Sequence, residues 1–167
     1  MKTVVLKVNE LNEQTFAGYG TVLDSDTHKA DAEEADFRFY YNLIEADFNG
    51  PVAISIVSTK LQEDLYSNSL ETHFETPEVL VPLNGTIYLV LTKSESKKLD
   101  KPALDTAKAF VVKPGQGVML HPGIWHRAPL SKDEPVKTLC LVRKGTPNDN
   151  STFYLKDSYD LRYRVTQ

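Results

Sequence analysis

A single cysteine, Cys140, is all the sequence offers for thiol chemistry, so no internal disulfide framework holds the fold. No apolar run approaches membrane-spanning length, and the opening MKTVVLKVNE lacks the apolar stretch of a secretory leader. Basic blocks are missing too: 19 Lys and Arg stand against 23 Asp and Glu, a net charge of −4. That balance makes nucleic acid and anionic membrane poor partners. Internal repeats and low-complexity tracts are absent. What remains is an ordinary soluble globular composition, 41% hydrophobic and 25% charged over 167 residues, enough for one domain with a real core. A soluble, cytoplasmic protein is the expectation. Cys140 lies inside the strand-like run VKTLCLVRK and reads as a small buried hydrophobe rather than a nucleophile.

The punctuation of the chain predicts strands. Lys2 to Val8 reads as extended, and Asn12 is placed to cap a short helix through Phe16 that Gly18 and Gly20 end. Asp24 to Asp36 is acidic, nearly free of large apolar residues and expected as an exposed loop. Short apolar runs then predict strands at Phe37–Ile44, Val52–Thr59, Leu70–Phe74, Val79–Leu83 and Thr86–Lys93. Further strands are expected at Ala109–Val112, Val118–His121, His126–Leu130 and Val136–Arg143, with a turn or single helical turn over Pro102–Lys108. In TIYLVLTK the period of two sends Ile87, Leu89 and Leu91 one way and Tyr88 and Val90 the other. Asn84-Gly85 carries the signal of a two-residue hairpin. The tail from Asp157 fits a short helix or a closing strand. Many short strands with little helix predict an all-β sandwich or barrel.

Two stretches carry chemistry. In ETHFETPEVLVPLNG, strand alternation puts Glu71 and His73 on one face, and a turn at Thr76-Pro77 would return Glu78 beside them. Two carboxylates and an imidazole inside a β structure need a metal, a proton or each other. In PGQGVMLHPGIWHRAPL, glycines mark sharp turns around His121 and His126, and Trp125 should face away from His126 as a core aromatic.

These stretches resemble the two cupin motifs. The first, G-x5-H-x-H-x(3,4)-E-x6-G, is matched by Glu71-x-His73-x4-Glu78-x6-Gly85, with Glu in place of the leading His. The second, G-x5-P-x-G-x2-H-x3-N, is matched at Gly115, Gly123 and His126, with His121 at the Pro position and Leu130 at the Asn position. The resemblance implies an all-β cupin double-stranded β-helix, a jelly-roll barrel, whose motif residues line the lumen. It would be a single cupin domain over 1–167, with an N-terminal strand-helix element at 1–23, the barrel at about 37–145 and a tail at 146–167. A narrower similarity is to the ureidoglycolate lyase family. It rests on EQTFAGYG, LETHFETPEVLVPLNG, KPALDTAKAF, LHPGIWHRAPL and RKGTPNDN. The chain departs from that family's usual Gln at Glu78, its usual Asp at Val142, and its usual Arg near Lys60.

The resemblance implies cleavage of ureidoglycolate to glyoxylate and urea, in allantoin and purine breakdown. Glu71, His73, Glu78 and His126 are the candidate ligands of a divalent ion, Zn, Mn, Ni or Fe, for which imidazole and carboxylate donors are well suited. Glu71, Glu78, His121 and His126 are the candidate catalytic acids and bases. Arg143, Lys60 and Arg127 are candidates to hold the substrate carboxylate, and Tyr88 to line the pocket. Other functions open to the same pattern are a metal-dependent isomerase or dioxygenase acting on a small hydroxy or keto acid or a sugar, and a non-catalytic binder of small carboxylates. The partner expected is a small molecule, and an open sheet edge suggests a homodimer.

Overall fold

A computed structural model describes residues 1–96 and 101–167. The first half contains β1 (Lys2–Glu10), helix α1 (Glu13–Phe16), β2 (Gly20–Asp24), β3 (Ala32–Glu33), β4 (Arg38–Phe39), β5 (Val52–Thr59), β6 (Tyr66–Ser67) and β7 (Ser69–His73). There follow β8 (Glu78–Pro82), β9 (Ile87–Ser94), β10 (Pro102–Val112), β11 (Gln116–Leu120), β12 (Trp125–His126) and β13 (Val136–Arg143). The chain closes with β14 (Asn150–Tyr154), helix α2 (Leu155–Tyr159) and β15 (Leu161–Thr166). Two sheets enclose the lumen, one ordered β14-β7-β12-β9-β10-β1-β15-β6 and the other β2-β11-β8-β13-β5.

The alternation along β9 divides the interior in two. Ile87, Leu89 and Leu91 face the lumen with Phe16, Leu80, Phe110 and Leu120, all at most 1% exposed. Tyr88 and Val90 face the other way, into a second core with Trp125, Leu155, Tyr163 and Val165. The second core exists because β1 changes partners. Its residues Lys2–Lys7 pair with β15, and Val8–Glu10 pair with β10, so the sheet curls back over its own outer face. The tail therefore supplies both a helical turn and a closing strand.

Several local expectations give way to longer-range ones. Asn84-Gly85 is not a hairpin: β8 and β9 lie in different sheets, and neither residue has a positive φ. Asn84 instead bonds the β13 approach, donating to Pro135 O at 3.1 Å and accepting from Lys137 N at 2.7 Å. A Cβ on Gly85 would lie 2.9 Å from Val136 Cγ2, so close approach and not φ requires the glycine there. Pro102–Lys108 is strand, not a turn, but carries a bulge between Ala103 and Lys108. Thr106 Oγ1 fills the broken ladder, accepting from Lys93 N and donating to Ala103 O. The Phe37–Ile44 strand shrinks to Arg38–Phe39 in a separate two-stranded ribbon, since neither face finds a core: Phe37, Phe39 and Tyr41 stay exposed. The strand expected at His126–Leu130 ends at His126. Asn12 caps α1 as its position predicts, accepting from Thr15 N at 2.9 Å.

Candidate functional site

The two stretches singled out in the sequence meet across the lumen. His73 sits at the end of β7, Glu78 opens β8 in the opposite sheet, and His126 ends β12. The crossover between β7 and β8 is pinned by Thr76, whose hydroxyl accepts from Arg143 N and donates to Pro77 O. Gly123, at φ 81, makes the turn that delivers His126. Its N–H donates to His73 O at 2.8 Å, tying both histidine-bearing segments together.

His126 Nε2 lies 2.8 Å and His73 Nε2 3.5 Å from the same atom, Glu78 Oε2. One ligand atom from each of the three residues falls within 4.8 Å of the others. His126 Nδ1 is 3.0 Å from Ile124 O, an acceptor only, so that nitrogen carries a proton and Nε2 points its other valence at Glu78. Something positive must stand between that nitrogen and the carboxylate, either a second imidazole proton or a cation. In the ion-free protein it is the proton. Burial alone would lower the His126 pKa, but the Glu78 carboxylate 2.8 Å away, the Ile124 carbonyl and the Glu71 charge outweigh it and carry it up to about 9. Burial would likewise raise Glu78, yet His126 and then His73 hold it well below the usual carboxylate range.

The donor set fits a divalent ion. Two imidazole nitrogens and a carboxylate oxygen suit the first-row metals. Glu78 Oε2 is buried and, despite its neighbours, has no hydrogen bond of acceptable geometry, an orphan that a cation would satisfy. His126 has the outer anchor that ligating histidines usually have, its Nδ1 on Ile124 O. The Nδ1 of His73 is buried without one.

Glu71, the fourth expected ligand, lies next to this group but is not among the three whose ligand atoms fall within 4.8 Å of one another. Strand register sets it beside His126, but its Oε2 accepts from Asn150 Nδ2 at 2.8 Å. It lines, with Ser69, Leu70, His126, Arg127, Thr152 and Tyr154, a cavity of about 200 Å³ that adjoins the cluster. Arg127 is half-buried there and, among the described residues, its guanidinium has no acidic partner. The other expected contacts lie elsewhere. His121 is exposed on the turn before Gly123. Arg143 falls on the face of β13 opposite Cys140 and is ion-paired to Asp149 at 2.9 Å. Lys60 is exposed past the Thr59–Val136 pair, at the end of β13 remote from the cluster. Tyr88 is turned into the second core, its hydroxyl accepting from Gln167 at 2.7 Å. Trp125 faces away from His126, as alternation requires, edge-on to Phe74 and Phe153.

Three participants are not apparent from the motifs. Thr152 and Tyr154 come from β14, whose alternation in NSTFY was a usable signal. Cys140, inert by its local context, donates its thiol to Glu78 Oε1 at 3.2 Å; only the pairing of β13 with β8 reveals it.

Fold and cluster together define a cupin-type β-barrel with a His-Glu-His centre at one end of its lumen. A 3,4-ketoisomerase from Helicobacter canadensis shares the fold, with a TM-score of 0.51 at 14% identity over 78% of this chain and 88% of that one. The family model described as ureidoglycolate lyase matches residues 3–162, and the chain belongs to that family. Ureidoglycolate lyases of Salmonella enteritidis and Salmonella paratyphi A are each 27% identical to it over 158 residues, covering 86% of this chain and 90% of theirs.

Proposed function

We propose that this protein is a lyase that cleaves ureidoglycolate to glyoxylate and urea, with the substrate seated in the cavity between Glu71, His126 and Arg127. The match to the ureidoglycolate lyase family over residues 3–162 carries the reading. The substrate is a carbinolamide bearing a carboxylate. Its hydroxyl proton leaves as the C=O forms, the C–N electron pair departs with the urea nitrogen, and that nitrogen takes up a proton.

Glu71 is the carboxylate free for this work. Asn150 holds one of its oxygens, while Glu78 is committed to two imidazoles and a thiol. Glu71 takes the hydroxyl proton and returns it to the departing nitrogen, so one group serves as base and then acid. Arg127 pairs with the substrate carboxylate by charge-assisted hydrogen bonds. Thr152 and Tyr154 offer hydroxyls to the urea moiety. His73, Glu78 and His126 would hold a divalent ion, which when bound would supply electrostatic stabilisation of negative charge on the substrate oxygen.

The assay follows glyoxylate and urea release by the purified protein, as isolated, after chelation, and with Zn, Mn, Ni or Fe restored. Turnover is expected, with Glu71→Gln losing roughly 10²–10⁴-fold in kcat and Arg127→Ala raising KM above all. A folded protein that turns over ureidoglycolate under none of these conditions overturns the proposal.

We also infer a cytoplasmic homodimer. Among the described residues no helix is long and apolar enough to cross a membrane. The outer face of the five-stranded sheet carries aliphatic rows Ile54–Leu141–Val79 and Ile56–Leu139–Val81, running in from the open edge strand β5. Ile54 is 75% and Ile56 51% exposed. A bare edge strand beside an apolar face favours pairing with a second copy.

A further inference from the structure

We propose that Cys140 is a positioning residue, whose thiol fixes the Glu78 carboxylate so that a single oxygen, Oε2, is offered to the ion held by His73 and His126. This inference rests on the metal-binding reading of that cluster. The two oxygens of Glu78 have different surroundings. Oε2 faces both imidazole nitrogens, whereas Oε1 is 3.2 Å from Cys140 Sγ and accepts its S–H. A carboxylate turns readily about its last bond, and both oxygens are equivalent to an ion in free solution. Here one is taken by a donor that reaches it from a different strand. The register that pairs Cys140 with Leu80 brings the thiol to the Glu78 side chain. The thiol is buried, and its only polar partner among the described residues is Glu78.

Sulfur suits this role by its reach and its weak donation. The S–H donor is long and weak, so it orients a carboxylate across 3.2 Å without competing for its charge. A carboxylate held with one oxygen outward would offer an ion that oxygen alone. Released, it would be free to offer both. Outer partners of this kind commonly set metal affinity by roughly 10–100-fold.

The test compares the wild type with Cys140→Ser, which keeps a donor, and Cys140→Val, which keeps the bulk without one. Mn²⁺ affinity of the chelated, refilled protein is read by calorimetry and the ion's environment by electron paramagnetic resonance, with thermal melting as a check on folding. Expected are an affinity change of about 10-fold or more and an altered spectrum in Cys140→Val, with Cys140→Ser near wild type and both variants folded. If all three proteins bind Mn²⁺ alike with the same spectrum, Cys140 does not position Glu78. If folded wild type binds no Mn²⁺, Zn²⁺, Ni²⁺ or Fe²⁺, the metal reading itself is overturned and this inference with it. Should Cys140→Val not fold, Cys140→Ala takes its place against Cys140→Ser, with the same two outcomes.

Discussion

Glu78 Oε2 is buried between two imidazole nitrogens with no well-formed hydrogen bond of its own. Its chemistry makes stability depend on pH in a direction that can be worked out. The folded-state pKa of His126 lies above its ordinary 6.5, at about 9, so the stabilisation from its second proton is complete below pH 6.5 and disappears as pH rises through 9. Glu78 is shifted the opposite way, so its contribution is present above its ordinary 4.5 and disappears as pH falls. Chelated protein should thus be most stable between those limits and lose on the order of 3 kcal/mol from pH 6.5 to 9 through His126. Urea midpoints across that range measure it. Saturating divalent ion should flatten the slope, because the ion takes the place of the proton. A slope that persists unchanged in His126→Asn would show that another group titrates.

At the scale of elements, two glycines matter for approach rather than for turning. A Cβ on Gly20 would fall 1.9 Å from Met119 O, a backbone atom that cannot yield without displacing β11 from β2. Gly20→Ala is expected to destabilise the protein by about 1–3 kcal/mol, as overpacking does, read from chemical denaturation. Gly85→Ala meets Val136 Cγ2 and the flexible end of Glu134, a lesser obstruction, and should cost less. If the two variants lose equal stability, backbone contact is not the reason for the glycine at position 20. The bulge in β10 also depends on one side chain. Asp105 and Thr106 look like turn residues in the sequence, and the chain does leave the ladder there, but Thr106 replaces the missing bond so the strand resumes at Lys108.

For the whole molecule, the exposed aliphatic rows on the five-stranded sheet predict self-association. Ile54→Lys with Ile56→Lys should convert a dimer to a monomer by light scattering, with the barrel intact by circular dichroism; a wild type that is monomeric at all concentrations refutes the prediction. What local sequence could announce differs by feature. The alternation in β9, the cap at Asn12 and the opposite facing of Trp125 and His126 are set by neighbours within a few residues, so the sequence by itself determined them. Resemblance to the two cupin motifs announced Glu71, His73, Glu78 and His126 as a group, and the structure brings ligand atoms of the last three within 4.8 Å of one another. The tertiary structure alone decided which sheet each strand joins, and this undid the Asn84-Gly85 hairpin and set Tyr88 and Arg143 facing away from the lumen. It also left Glu71, bonded to Asn150, outside the tight group of His73, Glu78 and His126, and brought Cys140 to Glu78. The physical reason is range. A strand's periodicity says which residues share a face, but what that face meets depends on pairings between segments tens of residues apart, and no local pattern encodes them.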